Sequence, residues 1–179
     1  PTYPFDRPEY SDEQWQQVAQ CLNMIGEIAR ENGMVTTYHC HMGTMVQNVE
    51  ETERLMEMTD QDLVHLLVDT GHAYYAGDDP VAIVRKYGFR IRNVHLKDIR
   101  KSVLDEVHAK KMNFLDSVKA GVFTIPGDGC IDFPPIFQAL AEVNYRGWFV
   151  VEAEQDPEKA NPLEYAKKAR SFIRENAGI

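Results

Sequence analysis

The chain has 179 residues, 44% of them hydrophobic and 26% charged, so it can bury one sizeable core and is neither disordered nor collagen-like. A formal net charge of −9 repels phosphate backbones, and no Lys/Arg-rich run offsets it, so no nucleic-acid partner is expected. No apolar run approaches the ~20 residues that span a bilayer and no charged-then-apolar leader precedes Pro1, so no membrane partner and a cytoplasmic location are expected.

In chain order, Ser11-Asp12-Glu13 opens a helix with a cap and early acids. Val18, Leu22, Ile25 and Ile28 carry it at helical spacing to the Asn32-Gly33 stop. A strand follows at roughly 34 to 39, a helical segment from about Asn48 to Met58, and a second strand in the apolar run Val64 to Val68. Asp79-Pro80 starts a helix with Pro in its first turn, and Gly88 ends it before a strand from Ile91 to Leu96. Two helical stretches, about 100 to 109 and 112 to 119, lead to a short strand, Val122 to Ile125. The turn Pro126-Gly127-Asp128-Gly129 punctuates that strand, since glycines reach backbone angles other residues cannot. Asp132 then caps a helix with Pro134 and Pro135 just inside, running to about Val143. Gly147 precedes the strand Trp148 to Val151, and a last helix runs from near Pro162 to about Asn176.

Strand and helix alternate five times, and the strands are too apolar to have a wet face. That pattern predicts an α/β fold, a parallel sheet covered by helices. No glycine-rich nucleotide fingerprint follows any strand, which disfavours a doubly wound nucleotide-binding sheet. Four strand ends carry polar residues instead: His39 and His41, Asp69 and His72, His95 and Lys97, Glu152 and Glu154. Such a mouth favours a (β/α)8 barrel, whose chemistry sits at the C-terminal ends of its strands. A closed barrel takes eight strands, and about five are counted here. The expectation is a TIM barrel, N-terminally incomplete, with residues 1–179 as one domain forming its C-terminal portion. Exposed sheet edges in such a chain invite pairing into a homo-oligomer.

Alternate strand residues share a face, so His39 and His41, His95 and Lys97, and Glu152 and Glu154 each aim as a pair into one cavity. Asp69 and Glu152 converge there. At ~4 Å and an effective dielectric near 20 their repulsion approaches ~4 kcal/mol, which a divalent cation removes. The mixed oxygen and nitrogen donors suit Mn²⁺, Co²⁺, Fe²⁺ or Zn²⁺ better than Ca²⁺. Cys21, Cys40 and Cys130 are odd in number and form no CxxC pair, so neither a disulfide framework nor a thiolate zinc site is expected. His65 and His108 read as structural or surface residues, and Asp128 as a weak substrate candidate.

These strings carry a family resemblance. Tyr38-His39-Cys40-His41-Met42-Gly43-Thr44, Asp69-Thr70-Gly71-His72, Val94-His95-Leu96-Lys97-Asp98-Ile99-Arg100, Gly121 to Gly129 and Gly147 to Pro157 resemble inosose (2-keto-myo-inositol) dehydratases, of the xylose-isomerase-like TIM-barrel superfamily. The likeness runs from Arg7 onward and matches the C-terminal part of that family. It implies a metal site built from Glu, Asp, His and Glu on successive strands. Asp69, His95 and Glu152 match the last three; the first falls within Tyr38 to His41, where a histidine stands, either His39 or His41. The resemblance further implies a lyase that removes water from a cyclic polyol ketone, with Mn²⁺ or Co²⁺ as cofactor and Glu154, His72 and Lys97 as candidates for acid and base. The alternatives are a sugar isomerase or epimerase, a class that carries Glu at the first ligand position, and an inactive barrel fragment.

Overall fold

A computed structural model describes residues 4–178. Its helices are α1 (Asp12–Glu31), α2 (Val49–Met58), α3 (Thr70–Ala76), α4 (Pro80–Tyr87), α5 (Lys101–Lys110), α6 (Phe114–Ala120), α7 (Phe133–Glu142) and α8 (Pro162–Ala177). Its strands are β1 (Thr36–His39), β2 (Val64–Asp69), β3 (Ile91–Leu96), β4 (Asp98–Ile99), β5 (Phe123–Thr124) and β6 (Trp148–Val151). Both α1 and α2 begin with a complete capping box, Ser11 with Gln14 and Asn48 with Glu51, which satisfies backbone donors that a first helical turn leaves open. Asp132, by contrast, occupies the N-cap of α7 without making a side-chain bond to it; Pro134 and Pro135 preset that start.

Among the described residues four strands form one parallel sheet in the order β1-β2-β3-β6. The expected fifth strand does not join it. β5 pairs antiparallel with β4, Asp98 opposite Thr124 and Ile99 opposite Phe123, which clasps the excursion carrying α5 and α6. Within the sheet the register sets Asp69 of β2 beside His95 of β3, and Leu96 of β3 beside Val151 of β6, so the polar strand ends come level.

One cluster of buried apolar side chains, including Trp15, Leu55, Leu66, Val94, Phe123, Phe133 and Ile173, joins the helices to the sheet. The inner strands β2 and β3 carry most of the buried strand positions; the outer strands are wetter than their composition suggests. Trp148 of β6 is 81% exposed, and Val150 and Val151 are each 38% exposed. Ile25 and Ile28 of α1, expected on its inner face, are exposed, and Trp15, Ala19 and Gly26 are buried in their stead. Arg90 bolts the base of β2 to α2: its buried guanidinium donates to Val64 O at 2.9 Å, Met56 O at 3.1 Å and Thr59 Oγ1 at 3.0 Å. Each of those carbonyls lies where a helix or strand ends, so one cation satisfies acceptors that regular structure leaves open.

Candidate functional site

Asp69 is the last residue of β2 and the N-cap of α3, and its two oxygens face different ways. Oδ1 accepts from His72 N at 2.9 Å and starts the helix. Oδ2 is buried without a hydrogen-bond partner, as is Nε2 of His39. Around Oδ2 stand His39 Nε2 at 3.6 Å, His95 Nδ1 at 3.6 Å and Lys97 Nζ at 3.4 Å. Glu152 Oε2 lies 3.0 Å from His95 Nδ1. His39, Asp69, His95 and Glu152 thus offer four ligand atoms within 4.8 Å of one another. Buried polar atoms are rarely left unpaired, and two that face each other beyond hydrogen-bond length fit a cation between them. Two imidazoles and two carboxylates are a borderline-metal donor set.

The electrostatics agree. Burial pushes the Asp69 carboxyl up, but the neighbouring His39 and His95 rings and the Lys97 charge outweigh it and hold it well below the usual carboxylate range. The Asp69 carboxylate facing it and the Glu152 carboxylate hydrogen-bonded to it raise His95 to about 9, and Glu152, bonded to His95, falls to about 2. Ligands that strongly hold positive charge around them are those a dication satisfies.

A second group, His41, His72 and Glu154, also brings its atoms within 4.8 Å. It already holds a cation. Lys97, with a side chain 0% exposed, places Nζ 2.6 Å from Glu154 Oε2, 3.1 Å from His72 Nε2 and 3.0 Å from Glu152 Oε2. Burial opposes that charge, yet Asp69 and Glu154 outweigh it and the ammonium is held above the usual lysine value. Gly71 makes the arrangement sterically feasible, because a Cβ there would lie 2.5 Å from Lys97 Cγ. Burial drives His72 well below the usual imidazole value and lowers His41, so both are neutral. Met42 N also approaches Nδ1 of His72, but at a longer 3.4 Å, so against the ammonium at 3.1 Å Nε2 is the acceptor.

All eight residues singled out from the sequence meet at this mouth, divided between the two groups. His39 faces Asp69, His95 and Glu152; His41 does not. β1 ends at His39, and His41 turns into the following loop, where its ring lies 3.8 Å from His72 and 4.8 Å from Phe114. Glu152 and Glu154 both lie beyond the end of β6, so strand alternation does not aim them. Glu154 instead has φ 42, a left-handed backbone that turns its carboxylate back to Lys97. Asp128 binds Arg100 at 2.8 Å and Thr124 at 2.6 Å and belongs to the β4–β5 clasp. His108 packs on Phe5 and Tyr75. The sequence reading missed the aromatic wall of Phe114 and Phe123 beside His72, which no local signal announces. It also missed α3, for which Asp69 at the cap and Gly77 at the far end were available signals. Burial pushes the Cys40 thiol up to about 12, which makes it inert, and Cys21, Cys40 and Cys130 are free thiols.

The family model of the xylose isomerase-like TIM barrel matches residues 2–176. The chain belongs to that family. Over 174 residues, 97% of its length, it is 56% identical to an inosose dehydratase of Clostridium tetani, and over the same number 53% identical to one of Bacillus anthracis. It spans 58% of the length of each of these curated relatives. Among solved structures, a probable 3-DHS dehydratase of Bacillus anthracis superposes with a TM-score of 0.73 at 18% identity, covering 92% of this chain and 58% of that one. The IOLI protein with a binding zinc atom gives 0.71 at 19% identity, covering 95% of this chain and 59% of that one. At such identities these two likenesses speak for the fold. No helix among the described residues is long and apolar enough to cross a membrane.

Proposed function

We propose that this chain carries the active-site mouth of a metal-dependent hydro-lyase that removes water from 2-keto-myo-inositol, a cyclic polyol ketone. The observation that carries the reading is the 53–56% identity to inosose dehydratases across at least 95% of the chain. The divided site supports it. His39 Nε2, Asp69 Oδ2, His95 Nδ1 and Glu152 Oε2 are the ion's ligands, with Mn²⁺ or Co²⁺ preferred and Zn²⁺ or Fe²⁺ compatible with the same donors. When bound, the ion supplies Lewis acidity at a ketone oxygen, which eases loss of the neighbouring proton. Its two positive charges and that of Lys97 balance Asp69, Glu152 and Glu154, so the mouth is electrically neutral around a neutral substrate.

Dehydration breaks a C–H bond next to the ketone and a C–O bond at the following carbon. Glu154 takes the proton, and its 2.6 Å bond from Lys97 Nζ aims it. Lys97 gives a proton to the departing hydroxyl, so that water leaves. Glu154, 2.6 Å from Nζ, returns to it the proton it took from carbon, and neutral His72 holds Nζ in place between the two steps. His41 meets the substrate beside them, with Phe114 and Phe123 keeping water from that wall. His39 stands where the epimerases of this superfamily carry Glu, which removes one acid-base carboxylate and favours elimination over epimerisation. Free thiols at Cys21, Cys40 and Cys130 suit a reducing, cytoplasmic setting. Chelation of the ion should abolish turnover of the ketone, and Co²⁺ or Mn²⁺ should restore it. A metal-free preparation with full activity would refute the scheme.

A further inference from the structure

The mouth has the loop of residues 40–48, which carries His41, on one side and the α5–α6 excursion on the other, and residues 4–7 touch both. Arg7 Nη1 donates to Thr44 O at 2.6 Å and Met45 O at 3.3 Å, while Nη2 donates to Glu51 Oε1 at 2.5 Å. The second oxygen of Glu51 accepts from Gln47 N at 2.8 Å and Asn48 N at 3.3 Å. Gln47 in turn accepts from Gly43 N at 2.7 Å and donates to Pro4 O at 3.2 Å. Across the mouth, the Phe5 ring meets His108 of α5 edge-on at 5.3 Å, and α6 returns Phe114 to His41 at 4.8 Å. The contacts close a ring: strap to loop, loop to α6, α6 to α5, and α5 back to the strap.

Beyond the ring contacts with His72 and Phe114, the bonds of His41 are local. Its Nδ1 bonds only the carbonyl of the next residue, Met42, at 2.9 Å, and its backbone N–H bonds Val46 O of the same loop at 3.0 Å. Both bonds move with the loop. On its inner side the loop is seated by the buried Met42 and Val46, with Met42 N 3.4 Å from His72 Nδ1. On its outer side it is tied by Glu51 in the first turn of α2, and the guanidinium that pairs with it is only 16% exposed, where a charge-assisted hydrogen bond is stronger than at the open surface.

We propose that Arg7 is a positioning residue that holds His41 over the mouth, with residues 4–7 acting as a brace between the His41 loop and α5. This rests on the reading of His41 as a group that faces substrate. The test compares Arg7→Met and Arg7→Lys in the full chain, each alone and combined with His41→Ala. Amide hydrogen exchange at Gly43, Gln47 and Asn48, Co²⁺ affinity, and kcat on the inosose are measured for each. Arg7→Met should speed exchange at those amides at least about tenfold and leave Co²⁺ affinity unchanged, since His39 is held by β1. It should lower kcat by about tenfold, the scale of a misplaced catalytic group, and have no further effect when His41 is already Ala. Arg7→Lys should recover part of both losses. Unchanged exchange, a matching loss of Co²⁺ affinity, or an equal fall in kcat with and without His41 would each overturn the proposal. If the wild-type chain turns over no inosose, the functional reading fails by itself, while exchange and Co²⁺ affinity still decide whether the brace exists.

Discussion

Asp69 shows how one side chain can serve fold and chemistry together. Its Oδ1 caps α3 and its Oδ2 is left without a hydrogen-bond partner, so the start of a helix fixes the direction of a candidate ligand atom. Gly71, two residues on, is equally double: it lies in the first turn of α3 and its missing side chain makes room for the stem of Lys97. Gly71→Ala should therefore displace Lys97 from Glu154 and His72. The expected result is a loss of about 1–3 kcal/mol in denaturant unfolding, the range for overpacking a core, and at least about a tenfold fall in kcat. A variant with normal kcat would show that Lys97 is not held by this contact. At this scale the grouping of the candidate residues was largely legible in the sequence, because Asp69 and His95 stand at strand ends, and Glu152 just past one, whose level is set by parallel pairing. The choice between His39 and His41 was not legible. It depends on where β1 stops, and period-two alternation cannot say that the residue two positions on has left the strand.

The elements that the sequence concealed are those defined by long-range partners. β4 and β5 are two residues each, and only their pairing across the α5–α6 excursion makes them strands. Asp98, fully buried, organises that clasp by accepting backbone N–H bonds from Ile99 at 2.8 Å, Gly127 at 3.0 Å, Gly129 at 3.0 Å and Ile131 at 2.9 Å. Gly129 is required there, since a Cβ would lie 2.3 Å from Asp98 Oδ1. Asp98→Ala would strand four donors and should cost more than about 3 kcal/mol in thermal or denaturant unfolding; a loss below about 1 kcal/mol would mean that the loop finds other acceptors. Helix boundaries, by contrast, follow local chemistry and were read to within a few residues for α1, α2, α4 and α8. At the end of α5, Lys111 sits in the left-handed region at φ 48 with an exposed side chain. Lys111→Gly should raise stability by about 0.5–1 kcal/mol, as relief of that strain predicts, and a loss would show that the side chain contributes more than its backbone costs.

Across the whole molecule, charge placement decides how stability and site respond to solution conditions. Burial, with Glu50 adding repulsion, raises Asp78 to about 6 from 3.8. A carboxyl that holds its proton more tightly when folded stabilises the native state below its unfolded value and loses that contribution as pH climbs from about 4 to about 6. The carboxyl is only partly shielded from water, so the effect is about 1 kcal/mol. Asp78→Asn should accordingly be the more stable protein at pH 7 in urea unfolding and no better than wild type near pH 3.5; an equal gain at both would point to a different cause. The wet outer strands were not legible either: Trp148 and Val150 read as core residues by type, and only the strand order places them at a sheet edge.

On the proposed function, one divalent ion sits among His39, Asp69, His95 and Glu152 while Lys97 serves as the cation of the neighbouring group. Anomalous diffraction from crystals grown with Co²⁺ tests it most directly. One peak per chain, bonded to His39 Nε2, Asp69 Oδ2, His95 Nδ1 and Glu152 Oε2 with Lys97 still on Glu154, is the expected result. A peak among His41, His72 and Glu154, or no peak at saturating Co²⁺, would contradict it.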